Sequence, residues 1–190
     1  MQSKLLLPVF ILIFQLNSSA QKYGTYSQTE KVFKITIFEP GLSAEAPLGR
    51  STTIHSRIGF TPTIATDYNN ELTGLLIRPF VSLSFRNYFN FHKRELMEKN
   101  IRRNSGNYFA VLTMVASKPL NQDKDYDENL NNRMVNVGIV WGMQRNYSSR
   151  FSLDLNIGAG YAKMGHSSGI SPIGEINLGL WLGKRTENKE

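Results

Sequence analysis

The sequence predicts an all-β fold, an antiparallel up-and-down transmembrane β-barrel of eight strands with a short helical connection near residues 90–103. Three observations carry that expectation. First, Arg150–Met164 separates at period two, with Phe151, Leu153, Leu155, Ile157 and Tyr161 on one face and Ser152, Asp154, Asn156 and Gly158 on the other. A strand sends successive side chains to opposite faces, whereas a helix would scatter these residues around its axis. Second, several such stretches are far longer than the usual strand of about 5–6 residues, and a bilayer demands about 9–11 tilted residues per span. Third, Glu45, Arg57, Arg78, Arg86, Asp154 and Glu175 each fall opposite the apolar face of their strand. Charges so placed are costly in an ordinary sandwich core, but inside a narrow barrel they can pair across the lumen.

The chain has 190 residues, 22 Lys plus Arg, 15 Asp plus Glu and no Cys. One domain is expected from that length. The absence of Cys excludes disulfides, thiolate nucleophiles and thiolate metal sites together. Residues 1–20 read as a secretory signal peptide: Lys4, an apolar run over Leu5–Leu16, then small residues at Ser18 and Ala20 before Gln21. Its cleavage near Ala20–Gln21 removes Lys4 alone among the charged residues, so the net charge of +7 becomes +6. Residues 21–190 then form the barrel domain. No later stretch has the ~18 consecutive apolar residues of a membrane helix.

The strands follow in order. Val32–Ala46 reads as one long strand with an irregularity at Pro40–Gly41, because proline lacks a ladder donor and glycine tolerates bulge dihedrals. Pro47–Arg50 is a tight turn. Ser51–Ile64 and Leu72–Phe89 are the next two strands, joined by a polar loop at Ala65–Glu71. Tyr108–Lys118, Arg133–Arg145, Arg150–Met164 and Ile173–Lys184 complete seven clear strands. In Arg133–Arg145 the apolar Val140 breaks the alternation. Single-chain bacterial barrels have even strand numbers, so either Gln21–Gln28 supplies an eighth strand, or the break at Pro40 divides one, or the assignment of short and long loops to the two ends is wrong.

Between strands, Asn90–Arg103 has helical spacing at Leu96, Met97 and Ile101, with Glu95/Lys99 and Glu98/Arg102 placed to pair at i,i+4. Pro119–Asn132 holds Asp123, Asp125, Asp127 and Glu128, which invites a calcium reading. The central glycine and distal glutamate of a calcium loop are missing. No metal site, cofactor or catalytic residue is expected. Gly165–Pro172 reads as a Gly/Ser loop. Tight Pro47–Arg50 and Asn146–Ser149, set against longer loops at the other strand ends, fit the short periplasmic turns and long external loops of outer-membrane barrels.

Several pieces carry a resemblance: Ile77–Phe89 (IRPFVSLSFRNYF), Asn104–Ala110 (NSGNYFA), the basic segment between them, and Val137–Tyr161 with its Gly-x-Gly-Tyr close. These resemble small outer-membrane β-barrels of uncharacterised function from Bacteroidetes, especially flavobacteria. The resemblance implies fold and location, and brings no catalytic residues with it.

The function expected from this reading is a non-enzymatic structural or adhesion role in the cell outer membrane. Its partners would be outer-membrane lipids, with an envelope protein or extracellular ligand reached through the loops. The alternative is a narrow ion or small-solute channel lined by the six charges. A lipid-modifying enzyme would use His55 as base for Ser51, Ser56 or Thr61. Nucleic acid is excluded as a partner, because the basic residues form no single patch.

Overall fold

A computed structural model describes residues 29–66, 72–121, 128–147 and 149–183. The signal-peptide assignment, the Gln21–Gln28 candidate and the acidic run Asp123–Asp127 lie outside the described residues.

Eight antiparallel strands close on themselves: β1 (Val32–Thr36), β2 (Gly41–Pro47), β3 (Thr52–Thr66), β4 (Leu72–Tyr88), β5 (Asn107–Ala116), β6 (Met134–Asn146), β7 (Phe151–Met164) and β8 (Ser167–Leu182). Every strand pairs with its sequence neighbour, and β1 pairs with β8 from Phe33↔Leu182 to Thr36↔Gly179. Closure removes the free edges that an open sheet would present at this seam. One end of the barrel carries the connections 48–51, 89–106 and 147–150. It is called the turn end below. The other, the loop end, carries 37–40 and 165–166, and it is where β3 and β5 end and β4 and β6 begin.

The sequence expectation is corrected in three respects. Val32–Ala46 is not one strand. The chain reverses over Ile37–Pro40, and β1 and β2 pair with each other from Val32↔Glu45 to Thr36↔Gly41. The eighth strand is therefore made by the Pro40 break. Gly41 is required there, since a Cβ would strike the Ile58 carbonyl across the ladder. Second, β8 begins at Ser167, six residues earlier than expected. The turn into it is only Gly165–His166, made possible by a positive φ of 60° at Gly165. Third, what the backbone establishes is an eight-stranded antiparallel all-β fold, and a membrane crossing is not part of what it establishes. No helix of the described residues is long and apolar enough to cross a membrane, which leaves strands untested.

The turn-end connection 89–106 is partly helical. α1 (Phe91–Leu96) is followed by a 3-10 turn over Arg102–Asn104. Phe91 anchors it, stacking on Tyr88 at 4.7 Å with the planes 9° apart. Gly106 leaves room for that ring. The connection folds inward over the barrel mouth, where Asn104 and Ser105 are buried.

Candidate functional site

Alternation fixes which side chains enter the lumen. In β1 this is Lys34, in β2 Ser43 and Glu45, in β3 Thr53, His55, Arg57 and Thr61, and in β7 Ser152, Asp154 and Asn156. All are buried. Buried polar groups must find partners, and buried charges must be paired. The lumen meets most of that demand with two clusters, while Arg57 Nε, Arg78 Nε and the side-chain carbonyls of Asn156 and Asn177 are buried without a hydrogen-bond partner.

Gln144 of β6 is the hub of the first. Its Oε1 accepts from Lys34 Nζ at 2.7 Å and from Arg86 Nη1 at 3.0 Å. Its Nε2 donates to Glu45 Oε2 at 3.0 Å, and to the Asn104 carbonyl at 3.2 Å. Glu45 Oε1 also accepts from Thr53 Oγ1 and Tyr88 OH, each at 2.7 Å. Arg86 pairs with Asp154 at 2.9 Å and lies over the Tyr108 ring, whose hydroxyl donates to Asp154 at 2.7 Å. Gly142 makes space for Tyr108, since a Cβ would fall on that ring. Val140, the break in alternation, is inward and packs with Tyr88, Tyr108 and Phe91.

A second cluster lies toward the loop end. Arg57 pairs with Glu175 at 3.0 Å and with Glu39 of the β1–β2 turn. Thr61 Oγ1 donates to Glu39 at 2.7 Å, and Asn156 Nδ2 donates to Glu175 at 2.8 Å. Arg78 stands apart. It is fully buried, has no carboxylate partner among the described residues, and is held by the Ser117, Asn132 and Leu130 carbonyls. At the turn end, Arg103 lies 3.5 Å over the Trp181 ring. Partial burial lowers its guanidinium from the ordinary value, with Glu30 opposing and Arg102 adding to the shift.

Of the six charges named from sequence, the structure gathers Glu45, Arg86 and Asp154 into one network and joins Arg57 to Glu175. Arg78 belongs to neither. Sequence reasoning missed Gln144 as the hub and the roles of Lys34, Tyr88 and Tyr108. Lys34 and Gln144 lay on the polar faces of their strands, which was signal enough. Glu39 was hidden because its turn was read as an irregular strand.

The functional alternatives are corrected by this geometry. Of the lining charges of the channel reading, Arg57 pairs with Glu175 and Arg86 with Asp154, Glu45 is held by Gln144, Thr53 and Tyr88, and Arg78 by backbone carbonyls, all within a filled lumen. The cavities beside His55 are each about 10 Å³, about the size of one water. His55 is buried and has Glu45 and Ser84 as its cross-strand neighbours, while Ser56 points to the other face of β3. The hydroxyl–imidazole pair that the enzyme alternative would need is not formed. The structural or adhesion role is likewise set aside: the ionic and hydrogen-bonding groups found here bind each other inside the fold. Among the described residues no cluster could hold a metal ion.

No curated protein and no solved structure matches the chain. A family model matches residues 6–169, and its description states no function, source or compartment. That corrects the resemblance to flavobacterial outer-membrane barrels: neither the taxonomic origin nor the location comes with the match. The chain belongs to the family described as Protein of unknown function (DUF3575).

Proposed function

We propose that this chain is a lipid-embedded, non-catalytic barrel of the outer membrane, whose partners are membrane lipids and whose lumen is filled by its own polar and apolar side chains. One observation carries the reading: the molecule is apolar outside and charged inside. Ile58, Val81, Val111, Ile139, Ile157 and Ile176 lie on six different strands, and each is more than two-fifths exposed. Monomeric soluble proteins rarely expose contiguous apolar patches beyond a few hundred Å², and this one runs around the wall. Aromatic pairs at the turn end, Phe89–Phe109 at 5.1 Å and Tyr147–Phe151 at 5.9 Å, suit a membrane interface. The inner network supports a barrel that stays folded with no apolar core of ordinary size. The signal-peptide reading supports export.

The test is fractionation of expressing cells, followed by electrophoresis with and without boiling. Recovery in detergent-extracted outer membrane, with a faster band before boiling, is expected. Recovery in the soluble fraction without detergent would overturn the reading.

A further inference from the structure

The barrel wall is not of even height. β1 and β2 have five and seven residues, but their neighbours β8 and β3 have sixteen and fifteen. Pairing of β2 with β3 stops at Gly41↔Gly59, and pairing of β1 with β8 stops at Thr36↔Gly179. Above these points, Pro62–Thr66 of β3 and Ser167–Asn177 of β8 are each paired on one side only among the described residues. The two rims face a notch over the β1–β2 turn.

The backbone of both rims is adapted to remain unpaired. The Phe60 amide donates to the Pro40 carbonyl at 3.0 Å, so the even-numbered residues of β3 turn their backbone groups to this side. Pro62 therefore lacks the N–H that would point into the notch. On β8 the Leu178 carbonyl accepts from the Ile37 amide at 2.8 Å, so its even-numbered residues face the same gap. Pro172 is one of them. A proline at the outward-facing donor position blocks the addition of a strand. A peptide strand or a second copy paired edge to edge is therefore a poor occupant.

The chemistry around the notch favours hydrocarbon. Behind it, the loop-end part of the lumen packs apolar side chains around one charge: Phe80, Met114 and Ala116 are buried together with Met134 against them, Leu76 packs with Leu130 and Met164, and the fully buried Arg78 lies between Leu76 and Phe80 on β4. In front, the rims carry Ile64, 63% exposed, and Ile170, 90% exposed. Below, the Arg57–Glu39–Glu175 cluster lies between this part of the lumen and the Gln144 network. An open edge left empty in a bilayer is costly.

We propose that the acyl chain of an outer-leaflet lipid lies in this notch, between the β3 and β8 rims that carry Ile64 and Ile170. The inference rests on the membrane reading above. Because the chain has no Cys, single-cysteine variants are clean probes. Thr63→Cys and Ser171→Cys report the two rims on their inward face, Ile139→Cys reports the outer wall, and Lys93→Cys, exposed on the turn-end connection, reports water outside the barrel. Each is labelled with an environment-insensitive fluorophore, its fold is checked by heat-modifiable mobility, and it is reconstituted in vesicles of phospholipid with brominated acyl chains. The expected result is loss of fluorescence at Thr63→Cys and Ser171→Cys to the extent seen at Ile139→Cys, with none at Lys93→Cys. Quenching at Ile139→Cys alone overturns the proposal and leaves the membrane reading standing. Absence of quenching at Ile139→Cys overturns both. Disulfide-linked dimers through Ser171→Cys would place a second copy in the notch and also overturn it.

Discussion

At the scale of single residues, the interior is governed by partnership. Arg86 and Asp154 are both buried and bonded at 2.9 Å, so removing one leaves the other unpaired. Breaking a buried pair costs about 3–5 kcal/mol, whereas replacing both partners with packed apolar groups is often near neutral. Asp154→Ala is accordingly expected to lower the denaturant midpoint strongly, and Arg86→Met with Asp154→Leu to recover much of the loss. Equal destabilisation by single and double variants would show that the pair is not coupled. Glycines divide in the same way. Gly142→Ala would drive a methyl into the Tyr108 ring and cost about 1–3 kcal/mol. Gly174→Ala meets nothing within 4 Å and is expected to stabilise by about 0.4–1 kcal/mol through the unfolded chain. Thermal melts of the two variants in detergent would check the opposite signs. The six interior charges were legible from alternation alone. Their pairing was not, because Arg57 and Glu175 are far apart in sequence and meet only when β8 closes onto β1.

At the scale of elements, length and turn chemistry decide more than propensity. The alternation of Phe151–Tyr161 places β7 without ambiguity. The stretch Val32–Ala46 alternates just as well, yet it folds back on itself at Ile37–Pro40. Alternation reports which face a residue occupies, and a hairpin preserves that pattern on both arms. The reversal is held by contacts that no local window contains, among them Glu39 with Arg57 and Thr61. The connection at 89–106 depends similarly on Phe91. Phe91→Ala is expected to cost about 3–5 kcal/mol and to expose the connection to limited proteolysis near Lys93 and Arg94. An unchanged cleavage pattern would mean that α1 is held by something other than its stack on Tyr88.

At the scale of the whole molecule, the arrangement is inside out: salt bridges within, isoleucine, valine and phenylalanine without. If lipid covers that wall, Ile139→Arg should cost about 2–4 kcal/mol in vesicles, and Ile139→Leu should be neutral. Folding titrations that found both harmless would remove lipid from that face. The sequence by itself determined the β class, the two faces of each long strand and the placement of charges, because strand periodicity is a local property written residue by residue. Only the tertiary structure decided that Pro40 divides a strand, that Gln144 is the centre of the lumen, and that the wall drops over β1 and β2. Each of these follows from closing the sheet into a ring, which sets register and brings together residues that are distant in the chain.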